Sequence, residues 1–303
     1  MKPIKINIDQ LITFYFIAKE GSITEASELL CLSQPAVTMQ VSALQKYFGV
    51  KLINVKKKRV HLTKAGEELF PYAEEIHRSA VKAESLLVSY RNNNLRIGIS
   101  GALTLFIIPV VDRFKESYPT VRMTIREGRT RNLTAELLDF QHDLCIVGTV
   151  DTVQRELQVF RIPGIEKMVL VASPEDALAR KISVTWKELG EYPLILLGEG
   201  SAARDRILKE FEKRGLSPHI AADIDSIEGM KQLIATGKGV GLMFPPNVSQ
   251  EITLGKLTSV PLEGGELKID IDVAINREVS LSPPAERFLA LIGKHFGCEI
   301  PSP

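Results

Sequence analysis

The stretch SITEASELLCLSQPAVTMQVSALQKYFG, Ser22 to Gly49, holds two helix patterns separated by too few residues for a long antiparallel hairpin. In the first, Ser22 and Glu25 have capping-box spacing, and Ala26, Leu29 and Leu30 form an apolar stripe that stops at Cys31-Leu32. In the second, Ser33 is placed to cap, and Pro35 is tolerated in a first turn whose amides lack helical partners. Val37, Val41, Leu44 and Phe48 then repeat at helical spacing until Gly49. Two helices so joined cross at a steep angle, which is helix-turn-helix geometry. An earlier helix is expected over Asp9 to Glu20 on Leu11, Phe14, Ile17 and Ala18, with Gly21 as its stop. After Gly49, Leu52 and Val55 precede Lys56-Lys57-Lys58-Arg59, and Val60 and Leu62 follow it, a pattern that predicts a small hairpin, or wing, with a basic tip.

The second of these helices leaves Gln34, Pro35, Thr38, Met39 and Ser42 on the side away from its apolar stripe, with no charge among them. Base edges in a major groove are distinguished by neutral hydrogen-bonding groups and methyl contacts, whereas added positive charge attracts phosphates everywhere. The face also suits an ordinary solvated helix. Three further features favour recognition: the basic tip, the short preceding helix and the distribution of charge. Residues 1–66 carry ten Lys or Arg against four acids, a surplus of six. Because the whole chain of 303 residues has a formal net charge of +1, the remainder sums to −5. A basic head on a mildly acidic body points to a polyanionic partner for the head alone, with nucleic acid the leading one.

Other classes are disfavoured. Cys31, Cys145 and Cys298 are widely spaced with no C-x-x-C pair, so neither a disulfide framework nor a zinc site is indicated, and a reducing compartment fits. No apolar run approaches the ~18 residues of a membrane span. In the N-terminal segment, Asp9 precedes the apolar run and Lys19-Glu20 closes it, unlike a signal peptide. The histidines at 61, 77, 142, 219 and 295 have no metal-ligand spacing, and no nucleophile motif accompanies them, so no catalytic residue, metal or cofactor is expected.

From Leu69, apolar or small residues recur through Ala73, Ile76, Ala80, Ala83, Leu87 and Tyr90 in alternating steps of four and three. This is the period of a helix that pairs with another, and Leu69, Ile76, Ala80, Ala83, Leu87 and Tyr90 are its candidate dimerisation residues. The alternative is a face packed on the chain's own body. Pro71 is expected to kink or restart this helix, and RNNN, residues 91–94, reads as a hinge. Beyond it, β-rich runs alternate with helical patterns: LRIGIS, Leu103 to Ser117, VRMTIRE, Asn132 to Phe140 and DLCIVG. A second series follows: KMVLVAS, PLILLG, Ala202 to Arg214, HIAADI, Ile227 to Thr236 and GVGLMF. Such alternation predicts two similar α/β lobes, each with a largely parallel sheet, with LKIDIDVAI and the helix around Arg287 to His295 returning to complete the first.

These residues resemble the LysR-type transcriptional regulators. The resemblance is carried by LITF, AKEGSITEASELL, SQPAVTMQVSALQKYFGVKL and LTKAG in the head, and more diffusely by YPTVRMTIREG, HDLCIVG and IEGMKQLIATGKGVGLM in the body. It departs from the family pattern at Ser27, Thr38 and Gln45, where Ala, Ser and Glu are usual, and at Ile53 and Val55, where Phe and Arg are usual. The resemblance implies an α+β multidomain protein: a winged helix-turn-helix over 1–66, a linker helix over 67–93 and a two-lobed effector domain like that of periplasmic binding proteins over 94–303. Lobe I then covers about 94–162 and 266–298, and lobe II about 163–265. It also implies a homodimer or homotetramer that binds an imperfect inverted repeat, responds to a small molecule and meets RNA polymerase. The candidate DNA-contacting residues are Ser22, Thr24, Ser33, Gln34, Pro35, Thr38, Met39, Gln40, Ser42, Lys56, Lys57, Lys58 and Arg59.

In two-lobed α/β folds, ligands sit beyond the strand C-termini, where helix N-termini offer free amides. The turns that qualify hold Ser100, Gly101 and Thr104; Arg129, Thr130 and Arg131; and Ser201 and Arg204. Hydroxyls, amides and arginines together suit a small anion. A competing reading is available at GEGSAA, Gly198 to Ala203, which fits G-x-G-x-x-A with Asp223 further on and would mark a dinucleotide site. The unit lies mid-chain without a preceding mononucleotide half, which argues against it. GKGVG at 237–241 follows a helix rather than a strand and is weaker.

Overall fold

A computed structural model describes residues 5–56, 59–149, 155–162, 167–264, 267–298 and 300. The chain divides between Ser85 and Leu86 into two compact units.

The first unit starts with α1 (Ile8–Glu20), capped by Asn7 and ended by Gly21 at φ 63°. Next come α2 (Ile23–Leu29) and α3 (Gln34–Phe48). Ser22 accepts from the Glu25 amide and Ser33 from the Ala36 amide, as their spacing predicts, and Gly49 ends α3 at φ 65°. The link between α2 and α3 turns on Cys31 at φ 53°, a left-handed conformation that a side chain adopts at a cost. Strands β1 (Ile53–Lys56) and β2 (Arg59–Leu62) form an antiparallel hairpin in which Lys56 faces Arg59. Leu11, Phe14, Ile17, Ala26, Val37, Val41, Leu44, Leu52, Ile53 and Val60 make one core.

Three stripe positions differ from expectation. Leu29 is 57% exposed, because α2 ends after seven residues with Ala26 and Ser27 as its inward side. Phe48 is 49% exposed, on the last turn of α3, and Val55 is exposed on the wing.

Helix α4 (Lys64–Asn92) runs through Pro71 without interruption, so the expected restart does not occur. It begins at Thr63, whose hydroxyl accepts from the Gly66 amide. Ala73 is fully buried in the head core, with Leu69 and Ile76 packed against it. Leu69 and Ile76 are half-buried and pack on their own chain's core. Ala80, Ala83 and Leu87 are exposed on the following turns. Tyr90 lies in α4, but its side chain is outside the described residues. The turn expected at RNNN narrows to Asn93, whose φ of 43° lies in the region asparagine tolerates.

The second unit holds two lobes. In the first, β3 (Asn94–Ser100), a 3₁₀ turn (Gly101–Leu103), α5 (Thr104–Ser117), β4 (Arg122–Gly128), α6 (Thr130–Leu138), β5 (Leu144–Gly148) and β6 (Leu157–Ile162) follow in order. In the second come β7 (Val169–Ala172), α7 (Trp186–Glu191), β8 (Leu194–Leu197), α8 (Ala202–Lys213), β9 (Ile220–Ile224), α9 (Ile227–Ala235), β10 (Gly241–Met243), α10 (Pro245–Thr253) and β11 (Thr258–Val260). The chain then returns through β12 (Ile271–Asn276) and α11 (Pro283–Phe296).

The first sheet has the order β4-β3-β5-β12-β6. Its β3 pairs in parallel with β4 and β5, while β12 is antiparallel to both β5 and β6. The second lobe repeats the plan: β8 and β9 are parallel, β7 is antiparallel to β10 and β11, and a parallel bridge from Leu194 to Val240 joins the two groups. Both sheets are thus mixed rather than largely parallel, because each takes its fourth strand from a segment that crosses between lobes. The two crossing segments pair with each other at Lys167 and Lys268. Burial of both faces of β12 extends to Asp272, fully buried and bonded by the Arg161 guanidinium directly opposite on β6.

Candidate nucleic-acid interface and effector cleft

Gln34, Pro35, Thr38, Met39 and Ser42 are all exposed, while Val37, Val41 and Leu44 on the opposite side of α3 are buried. The predicted face is therefore open to a groove. Ser33 and Thr24 are exposed beside it, and Ser22, the α2 cap, is half-buried. On the wing, Lys56 and Arg59 are exposed, whereas Lys57 and Lys58 lie outside the described residues.

Gln40 departs from expectation. Its side-chain oxygen accepts a hydrogen bond from Thr13, a residue of α1 with 2% exposure. Three residues from Val37 and four from Leu44, it lies half-buried beside the core side of α3 and sets that helix against α1. Gln45 is a second positioning group that sequence reading missed. Its side-chain oxygen accepts from the amides of Leu52 and Ile53, at 2.8 and 3.2 Å, tying the end of α3 to the wing. Only an acceptor is needed there, so an amide does what the carboxylate usual at this position would do. The wing is held from its other strand by the Val60 amide, which donates to the Gly21 carbonyl at 2.8 Å.

In the body, the strand ends and helix starts named above line the meeting of the lobes. Arg129, 37% exposed, begins α6 in the first lobe and reaches into the second, donating to the Glu199 carbonyl at 2.9 Å and pairing with Asp225. Gly198 makes room, since a Cβ there would collide with the Arg129 guanidinium and the Asp225 carboxylate. The Arg131 amide lies 3.5 Å from the Gly200 carbonyl, so Arg129, Arg131 and Ser201 come together from two lobes. Ser201 is buried at the start of α8, yet its hydroxyl makes no capping bond, and the Thr130 hydroxyl is buried without a hydrogen-bond partner. The lobes also meet where Asn247 donates to the Ala102 carbonyl at 2.9 Å, both residues buried, and where Gly148 packs on Ala202.

Two candidate ligand contacts are engaged elsewhere. Arg204 is only 8% exposed; it donates to the Leu197 carbonyl at 3.0 Å and pairs with Asp223. Asp223 is thereby the counter-ion of Arg204, which removes the acidic half of the dinucleotide fingerprint. Thr104 donates its hydroxyl to Glu127, which also lies beside Gly101, so the corner of Ser100, Gly101 and Thr104 carries a carboxylate. Among the described residues no group of three or more His, Cys, Asp or Glu could hold a metal ion, and no helix is long and apolar enough to cross a membrane.

Comparison with known proteins agrees with both halves. Residues 8–67 match the family described as bacterial regulatory helix-turn-helix protein, lysR family, and residues 90–297 match the LysR substrate binding domain. The RuBisCO operon transcriptional regulator of Allochromatium vinosum is 27% identical over 287 residues, covering 93% of this chain and 94% of that protein. The HTH-type transcriptional regulator YeiE of Escherichia coli K12 is 28% identical over 295 residues, covering 94% and 96%. The crystal structure of HinK, a LysR family transcriptional regulator from Pseudomonas aeruginosa, superposes with a TM-score of 0.59 at 24% identity, covering 96% of this chain and 99% of that one. Helix-turn-helix, wing, long helix and paired α/β lobes, matched over 8–67 and 90–297, place the chain in the LysR family of transcriptional regulators, which are DNA-binding and effector-binding proteins rather than enzymes.

Proposed function

We propose that this LysR-family regulator is a cytoplasmic homo-oligomer that contacts two half-sites of an imperfect inverted repeat and is switched by a small anionic metabolite held between its lobes. Residues 1–66 form the DNA-binding head, 67–93 the dimerising helix and 94–303 the effector domain. Gln34, Pro35, Thr38, Met39 and Ser42 meet base edges; Ser22, Thr24, Ser33, Lys56 to Arg59 meet the backbone or its flanks. Ala80, Ala83, Leu87 and Tyr90 carry the pairing of α4 with a second copy, and symmetry of the pair dictates symmetry of the operator. RNA polymerase is the partner through which a promoter-bound regulator acts.

The observation that supports the anion reading is the approach of α6 to the start of α8, where the Arg131 amide lies 3.5 Å from the Gly200 carbonyl, Arg129 donates to the Glu199 carbonyl, and the buried Ser201 hydroxyl makes no capping bond. The Arg129 guanidinium, once the ligand displaces Asp225 from it, and the amides at the starts of α6 and α8 favour a carboxylate or oxyanion. Closure of the lobes on such a ligand would couple to the heads by about 1–3 kcal/mol. A thermal-shift screen of the full chain against carboxylates, sulfur oxyanions and phosphates, followed by titration calorimetry, tests this. A ligand at ~100 times its dissociation constant adds about 2.7 kcal/mol of stability. Binding of a neutral metabolite with silence from every anion would remove the anion reading.

A further inference from the structure

We propose that Met39 is a specificity-determining residue that reads the methyl group of a thymine in each half-site. The inference rests on α3 being the major-groove element. Met39 is 67% exposed. Its direction is fixed by its neighbours: Gln40 is bonded to Thr13 on α1, and Val37 and Val41 are buried. The thioether therefore projects from the outer side of α3 with exposed Pro35 one turn before it and exposed Thr38 and Ser42 alongside. A large apolar side chain left uncovered by folding gains from burial only when something apolar docks on it.

A major groove offers one apolar group on its floor, the C5 methyl of thymine. No charged side chain stands between Gln34 and Gln45, the first being Lys46. The bidentate arginine or lysine that guanine prefers is thus missing from this face, while the amide of Gln34 suits adenine. A flexible, polarisable thioether packs well on a methyl group. Contact with it separates thymine from cytosine, which lacks the methyl and presents an amino donor instead of a carbonyl.

The test uses the full chain and a duplex selected by it from a randomised pool. Each thymine of the selected duplex is replaced in turn by deoxyuridine, which removes the methyl and nothing else. Wild-type protein loses about three- to fivefold in affinity at one thymine per half-site. Met39→Ala binds the thymine duplex more weakly and is indifferent to deoxyuridine there, whereas Met39→Leu keeps the sensitivity. Repeating the selection with Met39→Arg moves that position toward guanine. The proposal is overturned if wild-type protein tolerates every deoxyuridine, or if Met39→Ala stays as sensitive as wild type. Failure to select any sequence would instead overturn the reading of α3, and this inference with it.

Discussion

Arg129, at the start of α6 in the first lobe, forms an ion pair with Asp225, which follows β9 in the second. A cation in a ligand cleft that already has an acidic partner must exchange it for the ligand. Asp225→Asn leaves the hydrogen-bonding amide and removes the competing charge, so affinity for a small carboxylate rises about two- to fivefold. Arg129→Ala lowers it about tenfold or more. Calorimetric titration of both variants measures the pair of effects, and equal affinities in all three proteins would contradict them.

Gln45 connects the reading helix to the wing through one oxygen. Gln45→Ala leaves the amides of Leu52 and Ile53 without their acceptor and costs about 1–2 kcal/mol of stability. Gln45→Glu keeps the acceptor and loses little. Denaturant melts of the full chain rank the three proteins.

The left-handed conformation of Cys31, at φ 53°, is one that glycine adopts without penalty. Cys31 is exposed, so its side chain contributes little packing. Cys31→Gly is expected to raise stability by about 0.5–1 kcal/mol. The midpoint of the head's thermal transition reports it.

Glu210 is buried on α8, which opposes its ionisation, but hydrogen bonds from Arg214, Lys213 and Arg206 outweigh that burial and hold its pKa down at about 2, against an ordinary 4.5. A carboxylate with a depressed folded pKa contributes stability that is complete above its unfolded value and is lost as the pH falls through the folded one. The body therefore loses part of its stability between about pH 4.5 and about pH 2. Glu210→Gln flattens that part of the profile and costs about 1–3 kcal/mol at neutral pH. Urea melts across the acid range would show the two curves converging.

The head was legible because its signals are local. Caps at Ser22 and Ser33, the stop at Gly49 and the Val37, Val41, Leu44 period each act within a few residues. Gln40 can be turned toward α1 from its offset to Val37 and Leu44, since the same wheel that exposes Thr38 leaves it half-buried. Gln45 could not, because its partners depend on how β1 returns to α3. In the body the individual elements were readable, but β6, β11, α7 and α10 were not, being short or flanked by segments without clear period. Strand direction is set non-locally and has no local signal: β12 enters between β5 and β6 from more than a hundred residues away. Arg204 and Arg129 look alike in sequence. What separates them is whether an acid on the neighbouring strand, or one on the facing lobe, claims the guanidinium.

The route of β12 bears on how the protein is made. Among the described residues β6 finds its ladder partner in β12 alone, so the first sheet stays open along that edge until residue 276 has left the ribosome. The head, and the second lobe with all its strands contiguous from β7 to β11, can fold on the growing chain. The first lobe's sheet is consequently completed later in synthesis than the head, whose core, among the described residues, draws on nothing beyond Ile76.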